Sequence, residues 1–123
     1  MESESIVYGC IRDWPSDDPE LRRLRGETNH GVLAELPGAG LYQTQVIHFG
    51  ASYGAIEYEW NLWIEAFEAL LKRLYWASAV VHLETELNGL HTFRWESDNG
   101  FHSPQEGALR VRCAWEREGM LRS

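Results

Sequence analysis

Three groups of residues in this chain have the types and spacing that chemistry requires. Gly50-Ala51-Ser52-Tyr53-Gly54 matches G-x-S-x-G, with Ser52 in the nucleophile position, and Asp98 and His102 follow in the order in which an α/β-hydrolase supplies its acid and its base. His82, Glu84 and His91 bring two imidazoles and a carboxylate, a common set of zinc ligands. Glu84 and Glu86 could divide into a general acid and a general base if burial separated their pKa values. Each group meets an objection within the sequence, which for Glu84 and Glu86 is that nothing in it suggests such burial. Glycines are also the ordinary residues of a strand-to-helix turn. Only Gly38-Ala39-Gly40 stands upstream where an oxyanion-hole motif belongs. His82-x-Glu84 has the H-x-E of nucleobase deaminases, but no P-C-x-x-C follows. No Walker loop or dinucleotide fingerprint is present. A non-enzymatic protein without cofactor or metal is therefore expected, with Ser52, Asp98 and His102 as the alternative catalytic set and His82, Glu84 and His91 as the alternative metal set.

Most of these residues lie on one segment, Val80–Glu96, whose geometry decides what they can do. Asn88-Gly89 is a strong hairpin signal, because both residues tolerate the positive φ that a type I′ turn demands twice. A two-residue loop sets Leu87 opposite Leu90, hence Glu86 opposite His91, Glu84 opposite Phe93 and His82 opposite Trp95. Side chains alternate along a strand, so these six share one face, while Val81, Leu83, Thr85, Leu87, Leu90 and Thr92 take the other. The aliphatic face is expected to meet a helix. The other face separates His82 from His91 by several residues, too far for an easy joint metal site. It reads instead as a recognition surface of Glu84, Glu86, His91, Phe93 and Trp95, since exposed aromatics mark interfaces and Trp is a frequent binding anchor. An acidic helix edge of Glu57, Glu65 and Glu68 is a second candidate contact. A second copy of the chain, as a homodimer, or the 97–107 loop is the alternative cover for this face.

The flanking elements follow from periodicity and punctuation. Ile6–Arg12 reads as a strand stopped at Trp14-Pro15. Asp18-Pro19-Glu20 starts a helix with a capping carboxylate and Pro in its first turn; Leu21 and Leu24 give it a thin apolar edge, and Gly26 ends or bends it. A short helical piece over Gly31–Leu36 stops at Pro37. A flexible connector, Gly38–Gly40, leads to a strand over Gln43–Phe49 and a turn over Gly50–Gly54. Ile56, Trp60, Trp63, Ile64, Phe67, Leu70, Leu71, Leu74 and Tyr75 recur at helical spacing, which predicts an amphipathic helix of about five turns. Glu68 and Lys72 stand at favourable i,i+4 spacing on it. The hairpin, a loop over Ser97–Gly107 and a last strand through Leu109, Val111, Cys113 and Trp115 complete the order β-α-β-α-β-β-β. This predicts a single α+β domain over residues 1–123, a two-layer sandwich with the long helix on one face of one sheet.

Composition bounds the partners. The chain has 123 residues, 19 acidic and 11 basic, with a net charge of −8, which disfavours nucleic acid and suits a basic partner. No apolar run approaches the ~18 residues of a membrane span, so no membrane partner is expected. The N-terminal MESES is no signal peptide, and Cys10 and Cys113 read as reduced thiols of a cytoplasmic protein; a disulfide would need the two terminal strands to pair. The run VIHFGAS (Val46–Ser52), then Glu59-Trp60, Trp63, Phe67-Glu68 and LLKRLYW (Leu70–Trp76), and then HLETEL (His82–Leu87), resembles small acidic bacterial proteins of toxin–immunity neighbourhoods. That resemblance covers about a third of the chain. It implies a small cytosolic immunity protein that binds and blocks a cognate, basic toxin, and it carries no contact residues.

Overall fold

The computed structural model describes residues 4–13, 17–42, 46–54, 56–86, 89–97, 101–106 and 111–117. Its strands are β1 (Glu4–Arg12), β2 (Gly40–Tyr42), β3 (Val46–Gly54), β4 (Ser78–Thr85), β5 (Gly89–Ser97) and β6 (Val111–Arg117), and its α-helices are α1 (Pro19–His30) and α2 (Trp60–Leu71). The strands form one antiparallel sheet in the order β2-β3-β1-β4-β5-β6. The fold is α+β in two layers, as the element order predicts. β3 and β4 flank β1 and run parallel to each other, so the chain between them must cross over β1, and α2 makes that crossing.

One face of the sheet holds the core. Val7 and Ile11 of β1, Ile47 and Phe49 of β3, Ala79, Val81 and Leu83 of β4, and Trp95 of β5 point to it and are buried. Phe67, Leu70 and Leu71 of α2 pack on them, joined by Val32 and Leu36 from the turn after α1. The opposite face carries Ile6, Tyr8, Cys10, Val80, His82, Leu90 and Thr92, none of them buried, and among the described residues no helix packs on it.

Several expected boundaries move, each for a visible reason. β3 runs straight through Gly50–Gly54, where a turn was expected, because every residue there pairs with β1, from Gly50 opposite Tyr8 to Gly54 opposite Glu4. The strand is closely approached at Gly50: Gly38 has φ +72°, and a Cβ there would overlap the Gly50 carbonyl oxygen, so the loop can rest on β3 only as glycine. Gly40, the end of the expected connector, begins an added strand, β2 (Gly40–Tyr42), and Gln43 lies outside the described residues. α2 is shorter than five turns. A 3-10 turn, Ile56–Glu59, leads into it, and after Leu71 the chain folds back. The indole Nε1–H of buried Trp76 donates to the Leu71 carbonyl at 2.9 Å, which also accepts the Leu74 N–H at 3.2 Å, so this carbonyl at the helix end is fully used. The Asn29 side chain brackets Tyr75, donating to its carbonyl and accepting from its N–H, both at 2.9 Å.

α1 begins as its sequence predicts, with the Asp18 carboxylate accepting the Glu20 N–H at 3.0 Å and Pro19 in the first turn. Gly26 does not end it; Gly26 is buried mid-helix and the helix continues to His30. Leu21 and Leu24 are exposed. α1 is attached by polar contacts instead: Asn29, and Arg25, whose guanidinium meets the buried Asp13 carboxylate at 3.0 Å and lies against the rings of Tyr75 and Phe101. Cys10 is a free thiol on β1. β4 and β5 stand between β1 and the β6 strand that carries Cys113, a separation of about 14 Å at the usual strand spacing, which no disulfide spans.

Candidate functional site

The β4–β5 hairpin is present, but its register differs from the one a two-residue Asn88-Gly89 loop would impose. Thr85 pairs with Gly89, Leu83 with His91, Val81 with Phe93 and Ala79 with Trp95. Residues 86–88 make a three-residue connection, and Gly89 takes the positive φ of 76°. Leu87 and Asn88 lie outside the described residues. The shift relative to the expected pairing is three residues. An odd shift moves one strand's side chains to the other face. His91, Phe93 and Trp95 therefore join Val81 and Leu83 on the helix-covered face, whereas His82 and Glu84 share the open face with Leu90, Thr92 and Arg94.

This corrects the proposed recognition set. Trp95 is fully buried, its ring 5.0 Å from Phe67 and its Nε1–H donating to the Glu68 carboxylate at 2.8 Å. Glu68 thus turns inward and leaves the expected acidic edge and its pairing with Lys72; Glu65 remains exposed. Glu84 is exposed on the opposite side of the sheet from Phe93 and His91. Glu86 stands at the start of the hairpin connection, where its Oε1 accepts the Glu4 N–H at 3.3 Å rather than facing His91. The five residues do not form one surface.

The alternative metal set is divided in the same way. His82 and Glu84 are on the open face and His91 on the other. Among the described residues no three His, Cys, Asp or Glu side chains converge to hold an ion. The alternative catalytic set is divided by distance. Ser52 is exposed within β3, opposite Ile6, and the pairing with β1 continues to Gly54, so Ser52 does not sit on the sharp strand-to-helix turn of a nucleophile elbow. His102 is buried beyond the far end of β1, next to Ala77, whose N–H donates to the Arg12 carbonyl; at strand rise, Ile6 to Arg12 alone is about 20 Å. His102 pairs its backbone with Trp76, and its ring lies 3.1 Å from the Lys72 carbonyl. A carbonyl can only accept, so Nε2 carries the proton and donates it there. His102 ties the 101–106 segment to the end of α2. Asp98 lies outside the described residues.

What the fold does assemble is an aromatic shelf at the β5–β6 end of the helix-covered face. α2 lays Phe67 on Phe49 of β3 and on Trp95 of β5, and Trp115 on the outer strand β6 stays exposed. His91 and Phe93 of β5 and Trp115 of β6 form the floor, with Phe93 directly opposite Trp115. The Trp115 ring stacks on Phe93 (6.2 Å between centroids, 9° between planes) and on His91 (5.8 Å, 16°). Its Nε1–H donates to His91 Nδ1 at 3.2 Å. An indole N–H only donates, so in this contact Nδ1 is the unprotonated nitrogen. Trp60 at the start of α2 forms the wall, 5.2 Å from Phe93 and stacked on Trp63 at 4.9 Å and 6°. The Trp60 Nε1–H is buried with no hydrogen-bond partner among the described residues. Trp115 nevertheless remains 59% exposed. The sequence signal for this shelf was the alternation that ends in Trp115, which placed that residue in a half-buried strand without marking it as a contact.

The open face differs in character. Tyr8, His82 and Thr92 form a row across β1, β4 and β5, with the Tyr8 and His82 rings 5.0 Å apart and His82 Nδ1 3.0 Å from the Thr92 hydroxyl. Desolvation pushes the His82 imidazole below its usual 6.5; the Arg94 charge adds to this and Glu84 opposes it. Concavities among the described residues accompany these faces. An apolar cleft of about 190 Å³ lies between the 35–37 segment, Tyr53 and α2 at Trp63 and Phe67, and a shallow one of about 250 Å³ lies on the open face around Cys10, Arg12 and Arg94. Both are below the roughly 300 Å³ at which small-molecule pockets usually begin. No helix among the described residues is long and apolar enough to cross a membrane. No protein-family model, curated protein or solved structure matches this chain.

Proposed function

We propose that this chain is a non-enzymatic, cytoplasmic protein-binding module whose partner seats on the shelf of His91, Phe93 and Trp115 against Trp60. The observation that carries the reading is Trp115, an indole that is 59% exposed yet held by two ring stacks and a hydrogen bond. An anchor fixed before binding loses little side-chain entropy when a partner arrives, and tryptophan is enriched among residues that dominate binding energy. Its exposed face suits a Lys or Arg side chain through cation–π attraction. The net charge of −8 favours encounter with a basic protein. A basic toxin held inactive by this chain has that chemistry, which is the immunity role the resemblance implies.

Capture from the native cell, quantified by mass spectrometry, tests this with three proteins: the wild type, Trp115→Ala, and Glu84→Ala as a control on the opposite face. The specific partner is expected with the wild type and Glu84→Ala and lost with Trp115→Ala. Truncating a central tryptophan should weaken a purified partner's affinity about thirtyfold or more. Equal capture by folded Trp115→Ala and wild type would remove the shelf from the interface.

A further inference from the structure

We propose that β6 pairs with β6 of a second copy of this chain, joining two six-stranded sheets into one of twelve strands. Among the described residues β6 is the edge of the sheet and pairs only with β5. An edge strand presents a row of backbone donors and acceptors to any other strand, a liability that proteins blunt or cover. The other edge, β2, is three residues long and offers little to pair with; β6 has seven.

The sequence of β6 fits its own reverse. A two-fold antiparallel pairing must set one residue opposite its own copy. Centring on Ala114 pairs the whole strand: Val111 meets Arg117 of the second copy, Arg112 meets Glu116, Cys113 meets Trp115, and Ala114 meets Ala114. Residues opposite each other share a sheet face, so the Arg112 and Glu116 positions fall on the open face as two symmetry-related pairs of opposite charge, which favours that register. Arg112 also stands opposite Glu96 on β5, so a basic position is flanked by acidic ones on both sides. Moving the centre to Cys113 or Trp115 leaves part of the strand unpaired and separates Arg112 from Glu116. The small residue falls where two identical side chains must face each other. The two helical layers then lie on the same side of the joined sheet, and the two shelves become neighbours across the axis. The pairing uses the strand backbone rather than the shelf, so it stands independently of the partner proposed above.

Charge reversal on the full chain tests this, read by sedimentation equilibrium at several concentrations with circular dichroism as a check on folding. The wild type is expected to be a dimer. Arg112→Glu alone, or Glu116→Arg alone, turns both attractive pairs into repulsive ones and should weaken dimerisation about thirtyfold. An equimolar mixture of the two folded variants restores opposite charges at both pairs and should regain the dimer, which loss of fold or a general charge effect would not produce. A wild type that stays monomeric throughout overturns the proposal. So do single variants that dimerise like the wild type, or a mixture of folded variants that stays monomeric.

Discussion

Trp95 and Trp115 point to the same face of the sheet from neighbouring strands, yet one is structural and the other is available. Trp95 lies under α2, against Phe67, with its one polar atom satisfied by Glu68. Trp95→Ala should cost about 3–5 kcal/mol, through lost transfer energy and the cavity left behind. Trp95→Phe should cost less, because most of the ring volume stays and the chief loss is the Glu68 hydrogen bond. Trp115→Ala should cost about 1 kcal/mol or less, since a 59% exposed ring loses chiefly its stacking on Phe93 and His91. Urea unfolding followed by circular dichroism checks the order. A Trp95→Ala variant as stable as Trp115→Ala would show that Trp95 is not the core residue described. In the sequence, alternation and a two-residue loop put Trp95 on an exposed face and Trp115 in a half-buried strand; the structure reverses their exposure, because burial depends on hairpin register and sheet order, which no local pattern encodes.

At the level of elements, glycines fix where strands can meet. Gly9 sits in the central strand where a Cβ would overlap the Val80 carbonyl oxygen, so Gly9→Ala must push β1 and β4 apart. Gly89 has φ +76° beside the hairpin connection, and alanine there costs about 1–2 kcal/mol of backbone strain. Unfolding midpoints should fall from wild type to Gly89→Ala to Gly9→Ala; a Gly9→Ala protein as stable as the wild type would contradict the close approach. The same hairpin shows what was legible in the sequence. Asn88-Gly89 correctly located the reversal, but loop length selects register, and two residues against three decides which faces coincide. The deciding signal was the pair of apolar sets, Val81 and Leu83 against Phe93 and Trp95, which only an even-sum register brings to one face. The strand in Gly50–Gly54 was hidden for a related reason: its glycines resemble a turn, but long-range pairing with β1 overrides that local preference. The helix cap at Asp18 and the apolar stripe of α2 were readable because both rest on contacts within a few residues. The end of α2 was not, because it depends on Trp76 folding back and on Asn29 from α1.

At the scale of the whole molecule, the described helices pack on one sheet face and the residues of the other are only partly buried, and global stability should record that asymmetry through His82. Its imidazole stands between Tyr8 and Thr92, partly desolvated and on the same face as Arg94, so its folded pKa lies below the 6.5 of the unfolded chain. At pH above 6.5 the side chain is neutral in both states and does not penalise folding. As pH falls through 6.5 the unfolded chain takes up the proton first, so this contribution to stability is lost progressively until pH passes the folded pKa, where the slope levels off. Glu84, the one nearby group that opposes the shift, is itself exposed and weakens it without reversing it. His82→Gln keeps a hydrogen-bonding group beside Thr92 but removes the titration. The stability difference between wild type and His82→Gln, from urea unfolding at pH 8 down to pH 5, should therefore change in one direction only, with the wild type losing ground below pH 6.5. A difference independent of pH would mean that the open face hydrates His82 as fully as the unfolded chain does. A difference of opposite slope would mean that Glu84 outweighs both burial and Arg94.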